Sequence, residues 1–383
     1  MRSRRYVLGA WCAIAAAVLT GCPKENTPAT GGGSGSSSTS GPSSETSKPS
    51  GESKRIVILT NGDDPFWDAC EAGAKQAEKD LGLPGKGFTV AFERADFTDQ
   101  GQIDKLKQYN LQSDIAAVGI SVFNPESRAI AEELRQLQKK GVQVITIDGD
   151  VSREKFRDAR HAYIGTDNLL AGKELGRAAK AIAGGTPLNH VFFVGSTTAA
   201  NAVARMEGFN AGVESASKEL ERLEDGADRP KARSNVESAL DRHKDVSALV
   251  GIWAYNTPQI SRVVTDRRIR DKTKVFCFDA AEESIRGMQD GNVDVMLVQN
   301  PFQMGADGVK LMHALVAKDE ALVKTMYPNY AQTDENDMFT TELRIVVPDA
   351  QTTVTEGILD KSTRLMKLSE FKKWLEERKL VSS

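Results

Sequence analysis

From Arg55 onward, short β-branched runs alternate with amphipathic segments of helix length, and that rhythm narrows the architectures open to the chain. Ile56-Val57-Ile58-Leu59-Thr60 is apolar on both alternate sets of positions, as a strand buried on both faces requires. Asp63 or Asp64 then caps a helix with Pro65 in its first turn. Phe66, Ala69, Cys70, Gly73, Ala77 and Leu81 recur along it at helical spacing, and Gly82 stops it. Strands at 88–92, 115–120 and 142–147 and helices at 102–110 and 125–140 continue the series. The pattern restarts after Ile164-Gly165-Thr166-Asp167-Asn168. It then predicts helices at 169–183, 202–217, 230–243, 258–267 and 282–290. Strands fall at 190–194, near Glu221, and at 248–253, 274–278 and 293–298. Strand–helix alternation means parallel strands joined by right-handed crossovers, the α/β class. Two such halves in series predict two doubly wound, Rossmann-like domains. Ligands of such sheets bind beyond the carboxyl ends of the strands, so two facing domains make a cleft.

The first fifty residues say where this folded part works. Arg2, Arg4 and Arg5 precede a short apolar run, 6–19, that closes on Leu19-Thr20-Gly21-Cys22. A basic head, an apolar segment too short to span a bilayer comfortably, and small residues before a cysteine make an export signal. Its last four residues resemble the bacterial lipobox, after which cleavage leaves Cys22 first and lipid-bearing. Ser3-Arg4-Arg5-Tyr6-Val7-Leu8 also resembles a twin-arginine signal. Residues 23–54 are mostly Ser, Gly, Thr and Pro with nothing apolar to bury, the composition of a flexible tether. An exported lipoprotein on the periplasmic side of the envelope, anchored to membrane only through lipid, is expected.

Removing residues 1–54 from the 383-residue chain leaves a length that suits two domains better than one core. With 50 basic and 53 acidic residues and no clustering, the surface offers nucleic acid no basic footprint. Cys70 and Cys277 remain after the signal and the lipidated Cys22 are set aside. They could pair in an exported protein, but both lie in apolar patterns that favour buried free thiols.

The residues just after each strand are polar or aromatic in a way that packing does not require. Asp63, Asp64, Phe66 and Trp67 come after the first strand, Ser121 and Asn124 after the third, and Asp148 and Asp150 after the fourth. In the second half the strand ends carry Asn201 and Arg205, then Trp253 and Asn256, then Asp279, then Gln299. Carboxylates, amides and a guanidinium bond neighbouring hydroxyls in pairs, while an aromatic face covers the C–H side of a sugar ring. That set suits carbohydrate recognition. Either Asp63 or Asp64 could serve only as a cap, Arg205 could be a surface ion pair, and Trp67 is expected to be the exposed stacker of the adjacent aromatic pair. No Gly-x-Ser-x-Gly, P-loop or Gly-x-Gly-x-x-Gly is present, and the four histidines lie far apart in sequence. The 96–104 segment has a calcium-loop look around Gly101, but Thr98 and Gln100 weaken it and a helix cap explains it better. No catalytic residue, metal or cofactor is expected.

Several motifs resemble the ribose-type periplasmic sugar-binding proteins of ABC importers. These are Asp64-Pro65-Phe66-Trp67, Val144-Ile145-Thr146-Ile147-Asp148, Tyr163-Ile164-Gly165-Thr166-Asp167-Asn168, Arg205-Met206-Glu207-Gly208-Phe209, Val275-Phe276-Cys277-Phe278-Asp279 and Val298-Gln299-Asn300-Pro301-Phe302. The match spans about 55–347 with the motifs in one order. It implies a type 1 periplasmic-binding-protein fold with a three-strand hinge, crossing near Gly165, Gln299 and Tyr330. The implied domains are 55–164 with 300–330, and 165–299 with 331–350, with an extension at 351–383 holding a helix at 368–378. The strand read at 339–347 would return to the second domain. The resemblance assigns ring stacking to Phe66 and Trp67, and polar contacts to Arg205, Asp148, Asp279, Gln299 and Asn256. It also marks departures: Asp64 and Ser121 stand where the family has asparagines, Gly149 where it has an arginine, and Asp228 where it has an aromatic lip. The added carboxylates point away from ribose itself, toward another monosaccharide, a polyol or an amine-bearing sugar. The implied function is capture of a monosaccharide by hinge closure in a monomeric protein, with delivery to permease and ATPase subunits. A sensor handing its closed form to a chemoreceptor or membrane kinase would use the same cleft.

Overall fold

The computed structural model describes residues 53–383; the expected signal, most of the expected tether and Cys22 lie outside the described residues. The first half runs β1 (Lys54–Leu59), α1 (Phe66–Asp80), β2 (Phe88–Glu93), α2 (Asp99–Asn110), β3 (Ile115–Ile120), α3 (Arg128–Lys139), β4 (Gln143–Ile147) and β5 (Tyr163–Gly165). The second runs α4 (Asn168–Ala183), β6 (Leu188–Val194), α5 (Ala200–Val213), β7 (Ser217–Glu224), α6 (Arg229–Arg242), β8 (Ala248–Gly251), α7 (Asn256–Arg267), β9 (Lys274–Phe278), α8 (Glu282–Gln289) and β10 (Val295–Val298). The chain then returns through α9 (Pro301–Ala317), α10 (Glu320–Met326) and β11 (Met338–Thr340). It finishes with β12 (Leu343–Val347), β13 (Thr363–Lys367) and α11 (Leu368–Glu377).

Two sheets result, ordered β2-β1-β3-β4-β5-β11 and β7-β6-β8-β9-β10-β12-β13. Every pairing in the first is parallel; in the second only β10 against β12 is antiparallel. Both have the same doubly wound plan, so strands central to each sheet read as near-continuous apolar runs buried on both faces. α1 and α9 cover one face of the first sheet and α2 and α3 the other. α4 and α5 cover one face of the second, and α6, α7, α8 and α11 the other.

Side-chain caps fix where several helices begin, and hence where the strand-end loops point. Thr98, Asp167, Asp228 and Asn300 accept from the backbone N–H groups of Gly101, Leu170, Lys231 and Gln303 at 2.8–3.1 Å. Thr98 is itself held by Asp96, so the 96–104 segment is a helix entry. The helix expected from 125 starts at Arg128 because Asn124 closes a turn on the Glu126 N–H and Ser127 takes the cap.

The chain crosses between lobes after β5, after β10 and at Thr341–Glu342. The third crossing is later than the one expected near Tyr330, and the single strand expected at 339–347 is two. β11 stays on the first sheet because Asp337, fully buried, is gripped by Arg160 and Arg157, and its carbonyl accepts from the Tyr163 N–H at 2.9 Å. The extension also adds a strand, β13, at the sheet edge. Beyond α11 the chain turns back: the Ser383 carbonyl accepts from the Ala280 N–H at 2.7 Å, beside the loop after β9. Cys70 and Cys277 are buried free thiols, one in each lobe, and burial pushes Cys277 up to about 12.

Candidate functional site

β4 and β9 occupy the same place in their sheets, and each ends in an aspartate with a left-handed backbone: Asp148 at φ 64° and Asp279 at φ 63°. In each case the aspartate N–H donates to the neighbouring strand, to the Ile164 carbonyl at 2.9 Å and to the Leu297 carbonyl at 2.7 Å. A non-glycine residue at positive φ costs about 1–2 kcal/mol, and the paired bonds hold the cost in place. One guanidinium lies close enough for its charge to act on the carboxylates of both lobes.

That guanidinium is Arg205, from the first turns of α5 and 2% exposed. Its Nε donates to Asn168 Oδ1 at 2.9 Å and its Nη1 to the Ile252 carbonyl at 3.0 Å; Nη1 also lies 3.8 Å from Asp279 Oδ2. The group stands over the Phe278 ring, 4.8 Å from its centroid. α5 is pressed against α4 at Gly172, where an added Cβ would meet the Arg205 carbonyl at 2.1 Å; this close approach brings Arg205 to Asn168. Asp279 also accepts from Gln299 Nε2 at 2.8 Å, and Gln299 Oε1 accepts from Thr166 Oγ1 at 2.7 Å. Gln299 and Thr166 sit on the second and first crossings, so this chain of bonds ties the hinge to the site.

Burial dominates the titration of all three acids. Asp148 is pushed up to about 6 by loss of water, which Arg205 opposes and Asp279 reinforces. Asp279 is raised by burial, with Arg205 and Gln299 pulling it back and Asp64 pushing it further. Asp64, whose Oδ1 accepts from the Phe66 N–H at 3.0 Å, is also raised by burial, and the Arg229 charge from the other lobe opposes that rise. Asp64, Asp148, Arg205, Asp279 and Gln299 therefore form one electrostatic cluster drawn from both lobes.

A second cluster lies at the ends of β7 and β8. Asn256 Nδ2 donates to Asp225 at 2.8 Å, Tyr255 donates to the same carboxylate, and Asn256 Oδ1 accepts from the Trp253 N–H at 3.0 Å. The Trp253 indole N–H is buried and has no partner among the described residues.

Other expected site residues find different uses. Phe66 and Trp67 pack edge to face with centroids 5.0 Å apart, and Trp67, expected to be exposed, is 2% exposed with its Nε1 on Asn61 Oδ1. Asp150 is not part of the cluster: its carboxylate is held at both oxygens by Arg160, at 2.7 and 2.9 Å, and by Thr146 at 2.6 Å. Asp228 is an exposed helix cap, and the neighbouring Arg229 is the group whose charge reaches Asp64. Asp63 pairs with Arg94 on the surface at 2.7 Å. Ser121 is buried and accepts from the Gly149 N–H at 3.2 Å. A Cβ at Gly149 would sit 2.5 Å from the Val122 carbonyl, so no larger side chain fits there. Asn201 is half-buried in the first turn of α5, with no side-chain hydrogen bond among the described residues.

Sequence reasoning passed over Asp225, Thr166, Asn168 and Arg229. Asp225 comes directly after β7 and obeys the same strand-end rule, but the polar strand around Glu221 has no apolar run to mark where it ends. Among the described residues no three His, Cys, Asp or Glu side chains gather as metal ligands.

Residues 56–320 match the periplasmic binding protein domain family. The D-allose-binding periplasmic protein of Escherichia coli K12 is 24% identical over 262 residues, covering 67% of this chain and 82% of that protein. The ribose import binding protein of Salmonella typhimurium is 26% identical over 279 residues, covering 71% and 87%. Among solved structures, an ABC transporter solute-binding protein from Burkholderia graminis in complex with D-arabinose superposes with a TM-score of 0.66 at 21% identity, over 77% of this chain and 96% of that one. A glucose–galactose binding protein from Geobacillus stearothermophilus gives 0.64 at 26% identity, over 78% and 98%.

Proposed function

Since the chain belongs to the periplasmic binding protein domain family, we propose that it is the substrate-binding lipoprotein of an ABC sugar importer. On this reading it captures a monosaccharide between its lobes on the periplasmic side of the envelope, held there by lipid on Cys22. The observation that carries the reading is the placement of Asp148 and Asp279 at equivalent strand ends of opposite lobes, with Asp279 3.8 Å from Arg205 and Asp148 within reach of the same charge. Carboxylates accept from sugar hydroxyls, and the guanidinium, Gln299 and the unpartnered Trp253 indole N–H donate to them. The similar proteins whose names mention sugars, ribose, allose and arabinose among them, support the same class of ligand.

Binding proceeds by hinge closure. The sugar contacts Asp64 and Asp148 from one lobe and Arg205, Asp279 and Asn256 from the other, and it favours the closed state only through contacts that need both lobes. Phe66 walls the ring, with Trp67 packed edge to face against it and tied to Asn61. Permease subunits then recognise the closed shape and draw it open. The acids serve binding, and no bond is broken. Asp64 and the absence of a side chain at Gly149 make the site more acidic than the ribose pattern, which favours a different pentose or hexose, a polyol or an amino sugar.

A thermal-shift panel of pentoses, hexoses, polyols and amino sugars tests this directly. A ligand that binds only the folded state raises the melting point as its concentration passes its Kd. One monosaccharide giving a saturable rise is expected; a flat panel with folded protein rejects the sugar-import reading.

A further inference from the structure

Away from the strand-end site, a 710 Å³ cavity opens where α9 of the first lobe faces β12, β13 and α11 of the second. Its volume is that of a small-molecule site, and two aromatics, Phe302 and Trp374, stand in its wall. Two guanidinium groups stand over the Trp374 ring, Arg344 4.1 Å and Arg378 4.4 Å from its centroid; Arg378 also lies 5.4 Å from the Phe302 centroid. Arg344 is 2% exposed. Its Nε bonds Glu342 at 2.8 Å, while its Nη1 has no partner among the described residues. Burial lowers its pKa, Glu342 opposes the change, and the nearby charges of Arg378 and Arg364 add to it.

The acids around this cavity are already engaged. Asp307 holds Lys310 at 3.0 Å, Glu377 lies 3.5 Å from Arg378, and Glu370 accepts from the Lys367 N–H at 3.0 Å in the capping box of α11. Arg364 and Lys373, in contrast, have no carboxylate within salt-bridge distance among the described residues, although both line the cavity. The lining carries five cations against four carboxylates, and the charge left without a partner lies at Arg364 and Lys373.

We propose that this cavity binds a phosphate-bearing anion, with Arg364, Arg378 and Lys373 as its charge partners and Arg344 as the fixed cation behind them. A phosphate monoester offers three acceptor oxygens, enough to meet the Arg364 fork, the Lys373 ammonium and the Arg378 guanidinium together, whereas a carboxylate offers two. The site is separate from the sugar cleft and stands whether or not the sugar reading does. Because α9 and α11 belong to different lobes, its occupant touches both.

The phosphate could be a soluble monoester or the headgroup of a phospholipid, and two measurements on the full chain separate them. Titration calorimetry uses inorganic phosphate and glycerol 3-phosphate; flotation uses vesicles of phosphatidylglycerol in phosphatidylcholine. Arg364→Gln and Lys373→Gln alter exposed side chains and leave the Trp374 stack intact, so the double variant should fold, as a retained melting temperature would show. One-site binding of either soluble probe, weakened at least tenfold in the double variant and by added salt, supports the proposal with a soluble ligand. Vesicle flotation lost in the same variant, without soluble binding, supports it with a headgroup. Binding to neither probe, or binding that the double variant leaves unchanged, overturns it.

Discussion

Asp148 and Asp279 show how two residues of one type are placed by equivalent backbone turns and then used together. Each turn puts a carboxyl group where water is scarce, and the cost shows in titration. Asp148 has a folded-state pKa of about 6 against 3.8 for the free side chain, so the folded protein holds its proton more tightly than the unfolded chain does. Stability therefore falls as pH rises from about 4 to 6, and the deficit is full above 6. Asp148→Asn should stabilise the unliganded protein at pH 7 by on the order of 2–3 kcal/mol, with the gain vanishing near pH 3.5, as urea denaturation across that range would show. The same variant should bind sugar more weakly, because the charged acceptor is gone. Asp279→Ala removes the partner of both Gln299 and Arg205. Calorimetry should show sugar affinity reduced at least a hundredfold, with the protein still folded. Most of these residues were legible in the sequence from their position after a strand. Asp150 obeyed the same rule yet lies outside the cluster, because a strand-end carboxylate is equally suited to neutralise a buried arginine, and only the fold shows that Arg160 is there; Asp228, marked by the family resemblance, caps a helix.

Among the elements, the helix pair α1 and α9 decides how the first lobe closes on itself. An added Cβ at Gly73 would lie 1.8 Å from the Phe302 carbonyl, and one at Gly305 would lie 1.9 Å from the Cys70 carbonyl. The two backbones touch through reciprocal glycines, and α4 and α5 meet in the same manner at Gly172 and Gly208. Gly73→Ala should push α9 away and lower stability by about 1–3 kcal/mol in chemical denaturation, despite alanine's better helix propensity. Periodicity revealed these helices but not which of them pack together, since α1 and α9 are more than two hundred residues apart. The β11–β12 boundary was hidden for a related reason. Phe339–Val347 reads as one strand locally, and what breaks it is the grip of Arg160 on Asp337 across 177 positions. β13 was missed because Thr363–Lys367 has too few apolar residues to announce an edge strand.

For the whole molecule, three crossings and the bond chain from Thr166 through Gln299 to Asp279 connect hinge and site. A sugar that contacts both lobes should shift the population toward the closed state, read as a smaller radius of gyration in X-ray scattering on addition of the cognate sugar. Asp279→Ala should show no such change at the same sugar concentration. By itself the sequence determined the α/β class, the two-lobed doubly wound plan and the polar strand ends, because these arise from local periodicity and from the few ways a twisted parallel sheet can be covered. The tertiary structure alone decided which carboxylates converge on Arg205, where the third crossing falls, and how the extension pairs with the second sheet. Those outcomes depend on contacts between residues far apart in the chain, whose energies of burial and pairing leave no local pattern to read.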